Sequence, residues 1–330
     1  MKTTKRSSHN MNTILPNFFV VGVVKGGTTS LYNYLDQHPH IFLPRIKETN
    51  YFSAGDIRAD HFLPQYALDV DIDLDRYIKS GMKKQIHIAH VEHPSHYEAL
   101  FHAVGEETAV GEISNSYMIC PGAAKAIYNF NPEARIIVVL RNPIYRAWSQ
   151  YLMNLREAKT RNAEFISELE LDDAQINKGW GVNHQYLELG MYAGQLQRYY
   201  NLFDADQILP IFYEEYRENP DSVMGEISRF LNVDTDFQYN FSIENNSASL
   251  PRNASLNQWL VKSGLIQTVK RLTPKSIRKH FASALYSEKN IPRIDPNSTI
   301  WLQKYYAKDV ENLASLLGSK VTELWPEFAK

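Results

Sequence analysis

The chain has 330 residues, of which 44% are apolar and 22% are charged, values that are ordinary for a soluble globular protein. Its formal net charge of −2 excludes a global basic field of the kind that recruits nucleic acid, so any attraction for anions must be local. The single cysteine, Cys120, excludes an internal disulfide framework and suits a reducing compartment.

The N-terminal residues predict neither a leader nor a membrane anchor. Residues 1–16 read as a polar lead-in. The first apolar run, residues 18–24, is too short to span a bilayer, and no small-residue cleavage site precedes it. We therefore expect a cytoplasmic protein, of bacterial origin, in which residues 17–330 form a single domain.

A strand predicted over residues 17–24 ends abruptly at a turn, and a helical pattern follows over residues 28–37. The turn reads Lys25-Gly26-Gly27-Thr28-Thr29-Ser30. Glycines let the backbone turn sharply and approach a ligand, and the free amides at the start of a helix favour an anion. The lysine adds a positive charge and the hydroxyls add donors. The sequence therefore predicts a cradle for a phosphate or sulfate group.

The order of residues in this turn excludes two common nucleotide-binding loops. A Walker A loop places its lysine after the last glycine, directly before serine or threonine, whereas Lys25 precedes both glycines. The dinucleotide pattern G-x-G-x-x-G is also absent.

Further along the chain, predicted strands alternate with predicted helices. Strands are expected at residues 110–113, 134–140 and 208–213, and helices at residues 121–128, 143–153, 190–202, 220–231 and 298–317. Residues 55–85 are rich in aspartate and predict an irregular excursion. Alternation of this kind favours an α/β fold with a central parallel sheet flanked by helices.

Several segments, in the same order, resemble the sulfotransferases that use 3′-phosphoadenosine 5′-phosphosulfate (PAPS), in particular the heparan sulfate N- and O-type and bacterial enzymes. The turn is similar to their 5′-phosphosulfate loop. Residues 44–52 resemble a Lys-Glu-x-x-Phe-Phe segment, residues 111–117 resemble a family strand and turn, and residues 136–151 resemble the 3′-phosphate motif. The likeness runs from about residue 17 to residue 231 and implies a sulfotransferase domain with a P-loop-like strand-loop-helix.

The resemblance implies a role for each matching residue. Lys25 and the amides of Gly26, Gly27, Thr28, Thr29 and Ser30 would hold the 5′-phosphosulfate. Arg141 and Ser149 would hold the 3′-phosphate, and Arg252 resembles a late loop that closes over the nucleotide. Glu48 would be the general base for a hydroxyl or amine acceptor, with Lys25 stabilising the leaving group. No metal is expected, because lysine, arginine and amides carry the charge.

Two departures from the family pattern bear on the acceptor. Asn50 stands where some members have histidine, and Ile113 stands where several glycan enzymes have lysine. The missing lysine argues against a polyanionic acceptor of the heparan type. The chain also has a histidine-rich segment, residues 87–96, whose His93 or His96 is an alternative base.

Partners and alternatives stay open at this stage. The acceptor is expected to be a small molecule or a glycan, and no nucleic acid is expected. The basic stretch 262–279 permits membrane contact, but a solvated helix face is the simpler interpretation. Two competing functions remain. One is a P-loop-type nucleotide kinase or phosphotransferase, which would need a Gly-Lys-Ser/Thr loop that this turn does not have. The other is a non-catalytic nucleotide- or glycan-binding module.

Overall fold

The computed structural model describes residues 15–160, 164–176, 178–181, 185–242, 249–263, 265, 284–287, 289 and 291–329. The described strands are β1 (Phe18–Val20), β2 (Ile41–Phe42), β3 (Ile46–Glu48), β4 (Ile86–Ile88), β5 (Ala109–Ile113), β6 (Arg135–Leu140), β7 (Ile208–Phe212), β8 (Leu250–Pro251) and β9 (Tyr286–Ser287). The described α-helices are α1 (Thr28–Leu35), α2 (Pro64–Asp69), α3 (Leu74–Lys79), α4 (Pro94–Ala99), α5 (Ser116–Ile119), α6 (Ala123–Phe130), α7 (Pro143–Arg156), α8 (Phe165–Ala174), α9 (Tyr192–Tyr200), α10 (Tyr213–Glu218), α11 (Pro220–Leu231), α12 (Ala254–Lys262), α13 (Pro296–Leu317) and α14 (Lys320–Leu324).

One parallel sheet has the strand order β2-β5-β1-β6-β7. Its middle strand is β1, in which Phe19 pairs with Glu112 of β5 on one side and with Ile136 of β6 on the other. Ligands of such sheets bind in the crevice beyond the carboxyl ends of the strands. The segment after β1, residues 21–27, therefore lies where a ligand site is expected.

Alternate residues of β1 pack against different layers of helices. Phe18 and Val20 belong to a buried cluster that includes Leu31 of α1 and Ile227 of α11. Phe19 belongs to a second cluster, to which α6, α7, α9 and α13 contribute. Side chains alternate between the faces of a strand, so a strand that is apolar on both faces must be covered on both. The predicted fold class, an α/β sheet flanked by helices, is confirmed.

The main elements lie close to their predicted positions. The helix predicted over residues 220–231 is α11, and the strand predicted over residues 134–140 is β6. The first strand ends at Val20 rather than at residue 24, although the amides of Val21 and Val23 still donate to carbonyls of β6.

The excursion over residues 55–85 is not wholly irregular, contrary to the prediction. It contains α2 and α3, each of six residues. Helices this short span less than two turns and leave little periodic signal in the sequence. Beside the excursion, β3 and β4 form a small parallel sheet in which Glu48 lies opposite Ile88.

Two predicted segments lie wholly or mostly outside the described residues, so the predictions for them are not tested. Residues 1–14 lie outside the described ranges, so the division at residue 16 is not tested. Most of the basic stretch 262–279 also lies outside them. None of the helices in the described ranges combines the length and apolar character needed to cross a bilayer.

Candidate active site

The turn after β1 forms a backbone cradle. Lys25 and Gly27 both have positive φ, 67° and 90°, which bends the chain tightly before α1. A Cβ on Gly26 would lie 2.7 Å from the carbonyl oxygen of Val139, so only glycine fits against β6. The first bond of α1 runs from the Leu31 amide to the Gly27 carbonyl, 3.1 Å. The amides of residues 27–30 precede that bond, and they give the cradle the donors and the positive helix end that an anion requires.

The Lys25 side chain is half-buried at the cradle. Its Nζ lies 3.6 Å from the Sδ of Met153, on α7. Burial, followed by the positive charges of Arg156 and Arg141, lowers the pKa of Lys25 to about 8. The lysine is therefore mostly charged at neutral pH and partly neutral near pH 8, and an anion bound beside it would favour the charged form.

Arg141 lies beside the cradle at the carboxyl end of β6. Its Nη1 donates to the Lys25 carbonyl at 2.9 Å, and its guanidinium lies 4.3 Å from the centre of the Tyr213 ring. The Arg141 carbonyl accepts a hydrogen bond of 2.8 Å from the Tyr192 hydroxyl. Ser149 is half-buried about two turns into α7. The sequence-predicted 3′-phosphate arginine and the phosphosulfate turn are thus brought into direct contact.

Glu48 ends β3 and is buried. Its Oε1 accepts from Lys47 Nζ at 2.7 Å and from Asn115 Nδ2 at 2.8 Å. His87 Nε2 lies 3.8 Å from the same oxygen. Burial alone raises the pKa of Glu48, but the charge of Lys47, followed by that of His87, outweighs burial and leaves the pKa below its ordinary value. The carboxyl is therefore ionised at neutral pH, the form that a general base requires.

A short chain of hydrogen bonds joins Glu48 to the cradle. Thr28, the first residue of α1, donates to Asn115 Oδ1 at 3.2 Å and accepts from Lys47 Nζ at 3.4 Å. Both of these partners also contact Glu48 Oε1. The carboxylate and the anion cradle therefore form one connected site, although β3 is not part of the central sheet.

A second buried carboxyl, Glu112 of β5, fixes the segment that follows Glu48. It accepts hydrogen bonds from the hydroxyls of Thr49, Tyr117 and Tyr97. Burial raises its pKa to about 7, although the hydrogen bonds favour the ionised form. Because Thr49 adjoins Glu48, these contacts tie β3 to the central sheet.

Replacing Glu112 with glutamine is expected to change the pH dependence of stability. The folded-state pKa of about 7 exceeds the ordinary 4.5, so the folded protein holds a proton that the unfolded chain loses between these values. The parent's free energy of unfolding therefore falls as the pH rises through this window, by on the order of 3 kcal/mol. Glutamine does not titrate, so its free energy of unfolding lacks this fall. The difference in free energy of unfolding, variant minus parent, should therefore rise by most of that amount between about pH 5 and about pH 8. Urea unfolding at the two pH values measures this difference. An equal difference at both pH values would contradict the prediction.

Other residues singled out in the sequence lie apart from this network. His93 caps the N-terminus of α4, and His96 Nε2 lies 3.2 Å from Asp75 Oδ1. Asn50 is buried and donates to the Ala89 carbonyl at 2.8 Å. Arg252 is exposed and its amide donates to the Leu285 carbonyl, so its role over the nucleotide stays a prediction.

Sequence reasoning missed several residues of the site. Asn115 and His87 contact Glu48 from distant parts of the chain, and no local pattern indicates those contacts. Tyr213 follows β7, and the rule that ligands bind at the carboxyl ends of parallel strands is the signal that points to it. Ile113, at the position of the missing lysine, is fully buried, and Lys47 provides the cation beside Glu48.

Comparisons with known proteins show the family of the chain. Residues 16–237, more than half of the chain, match the model of the sulfotransferase family. The chain is 26% identical over 257 residues to carbohydrate sulfotransferase 15 of Mus musculus, which covers 66% of this chain. It is 24% identical over 321 residues to the bifunctional heparan sulfate N-deacetylase/N-sulfotransferase of Drosophila melanogaster, which covers 94% of this chain. The matches cover 44% and 27% of these relatives' own lengths, so the chain spans less than half of each.

A solved structure covers nearly the whole fold. The crystal structure of a sulfotransferase from Alicyclobacillus acidocaldarius has a TM-score of 0.67 and 28% identity, and the match covers 92% of this chain and 96% of that one. With the cradle, the arginine and the buried carboxylate in place, the family match decides the class: the chain belongs to the sulfotransferase family.

Proposed function

We propose that the protein transfers a sulfuryl group from PAPS to a hydroxyl or amine of a carbohydrate or glycoconjugate. The observation that carries the proposal is the hydrogen-bonded connection between the anion cradle and the ionised Glu48 through Thr28, Asn115 and Lys47. Membership of the sulfotransferase family supports the reaction, and the carbohydrate enzymes among its relatives support the acceptor class.

The residues at the cradle fit a donor of this chemistry. Gly26 lets the turn pack against β6, and the amides of residues 27–30 precede the first helical bond of α1. The two cations are held by neutral groups: Lys25 by the Met153 thioether, and Arg141 by a carbonyl and the Tyr213 ring. Their charge is therefore available to an anionic ligand. Arginine offers a fork that matches phosphate, and the helix N-terminus suits the phosphosulfate end.

Each residue then has a defined task. PAPS supplies the sulfuryl group, whose sulfur bonds to the acceptor oxygen or nitrogen as its bond to the departing phosphate oxygen breaks, releasing 3′-phosphoadenosine 5′-phosphate (PAP). Glu48 accepts the acceptor proton on its carboxylate. Lys25 and the amides of residues 27–30 stabilise negative charge that develops on the phosphate oxygen. Arg141 and Ser149 hold the 3′-phosphate, and Lys25, Arg141 and the amides supply the positive charge without a metal. A cytoplasmic location remains part of this proposal.

Binding of PAP in the presence of a chelator is the first test. Calorimetry should show PAP binding without metal, and Arg141→Ala should weaken it about tenfold to a hundredfold, because a charged hydrogen-bond partner is worth roughly 1.5–3 kcal/mol. The control is Arg135→Ala, at the other end of the same strand, where the guanidinium lies over the Phe230 ring. PAP affinity should be unchanged in that control.

The remaining outcomes separate the competing functions. Preferential binding of ATP with Mg²⁺ would support a nucleotide kinase instead. PAP binding without transfer from labelled PAPS to any of a panel of carbohydrate hydroxyl and amine acceptors would support a non-catalytic module. Equal PAP affinity in Arg141→Ala and the parent would remove Arg141 from the site.

A further inference from the structure

The C-terminal end of the chain contacts the segment that follows Arg141. A single 3-10 turn, Pro326–Phe328, comes after α14 and carries Glu327. The Glu327 carboxylate accepts from Asn142 Nδ2 at 3.0 Å with one oxygen and from the Tyr145 hydroxyl at 2.7 Å with the other. The Glu327 side chain therefore forms hydrogen bonds with two residues at the start of α7.

The same segment is anchored in the core. Trp325, two residues before Glu327, is fully buried, and its Nε1 donates to Glu214 Oε2 at 3.2 Å. The other oxygen of Glu214 accepts from the amide of Asn142 at 3.0 Å. The position of Glu327 is thus set by a buried anchor, which a loosely attached tail would lack.

Asn142 has little freedom left under these contacts. Its Oδ1 accepts from the Ile144 amide at 3.0 Å, which caps α7, while its Nδ2 and its amide are held by Glu327 and Glu214. Arg141 immediately precedes it. A change in the direction of Asn142 would therefore move both the Arg141 guanidinium and the axis of the helix that carries Ser149.

We propose that Glu327 is a positioning residue for recognition of the nucleotide 3′-phosphate. The inference rests on the proposed function, because it assumes that Arg141 and Ser149 bind that phosphate. Glu327 acts through Asn142 and Tyr145, which fix the start of α7 in the direction that presents Arg141 and Ser149 together. It lies beyond residue 237, where the match to the family model ends.

Charge and positioning predict opposite effects at Glu327. A carboxylate near a site for a phosphate repels the ligand, so if only its charge mattered, neutralising it would tighten PAP binding. Positioning predicts the reverse, because glutamine replaces two bonds to a charged acceptor with weaker neutral ones and has only one oxygen to accept with. The sign of the change therefore separates the two explanations.

The test compares two nucleotides that differ in the 3′-phosphate. Glu327→Gln should bind PAP about tenfold more weakly than the parent and should bind adenosine 5′-monophosphate as the parent does. Glu323→Gln, the matched control on α14, makes the same charge change at a residue that accepts from the Ser319 hydroxyl, and should alter neither affinity. Tyr145→Phe removes one bond but leaves the charged bond from Glu327 to Asn142 in place, so it should lower PAP affinity by a smaller factor.

Each result decides a separate question. A Glu327→Gln protein that keeps the parent's preference for PAP over adenosine 5′-monophosphate, or that binds PAP more tightly, overturns the positioning role. Equal weakening of both nucleotides overturns it too, because it shows general loss of structure. A parent with no preference for PAP overturns the proposed function and the inference with it, whereas a preference lost in Arg141→Ala and kept in Glu327→Gln overturns the inference alone.

Discussion

Replacing Glu48 with glutamine is expected to slow sulfuryl transfer by about 10²–10⁴-fold while PAP binding persists. Glutamine keeps the shape of the side chain but does not accept the acceptor proton. The cradle amides and Arg141 belong to other segments, so the nucleotide site keeps its own contacts. Single-turnover transfer from labelled PAPS, set beside PAP affinity by calorimetry, measures both quantities.

The Glu48 variant needs a structural control, because it removes the charge partner of the buried Lys47. Breaking a buried ion pair costs roughly 3–5 kcal/mol, so a lower melting temperature is expected alongside the loss of transfer. Retained PAP binding shows that the protein is folded under assay conditions. Glu98→Gln, at an exposed position on α4, makes the same change away from the site and should leave transfer unaltered.

The pH profile of the parent identifies the base independently. Since the pKa of Glu48 lies below its ordinary 4.5, kcat/KM should fall only below about that pH. An acid limb clearly above pH 4.5 would indicate a more basic group, such as an imidazole. A limb in that region, together with parental transfer in Glu48→Gln, would contradict the assignment and turn attention to His87, His93 and His96.

Replacing Lys25 with methionine is expected to slow transfer by about 10²–10³-fold and to weaken PAP binding by a smaller factor. Methionine keeps most of the side-chain stem against Met153 but removes the charge that meets the departing phosphate oxygen. Interactions that strengthen in the transition state appear mainly in kcat. Lys79→Met, at an exposed position on α3, is the control for loss of a lysine. If affinity falls and the single-turnover rate does not, Lys25 contributes to binding alone.

The lowered pKa of Lys25 adds a second readout to the same variant. With a pKa of about 8, the lysine is partly neutral near that pH in the free protein, and a bound anion favours its charged form. PAP binding should therefore take up a proton, and affinity should weaken as the pH rises above about 8. Calorimetry in buffers of different protonation enthalpy measures the uptake, which should vanish in Lys25→Met.

The local parts of the site are predictable from the sequence, and the long-range parts are not. The turn of Lys25 and Gly27 and the strand that ends just before Arg141 are contiguous segments, and their residue types indicate their conformation. The environment of Glu48 depends on Asn115, 67 positions along the chain, and on the pairing of β3 with β4. That pairing places His87 beside the carboxylate, whereas His93 caps α4 and His96 lies on it, although these two were the alternative bases that the sequence suggested.

Because β3 is separate from the central sheet, the surroundings of Glu48 can change independently of the cradle. The cradle and Arg141 follow β1 and β6 of the central sheet. Glu48 instead lies on β3, in the small parallel sheet of β3 and β4 beside the excursion over residues 55–85. Two sets of hydrogen bonds connect the small sheet to the central sheet. One joins hydroxyl groups to Glu112, and the other joins Asn115 and Lys47 to Glu48. Under the proposed function, substitutions in β4 and the excursion that keep these contacts can therefore change the surroundings of Glu48, and with them the choice of acceptor, without touching the contacts of the cradle and Arg141.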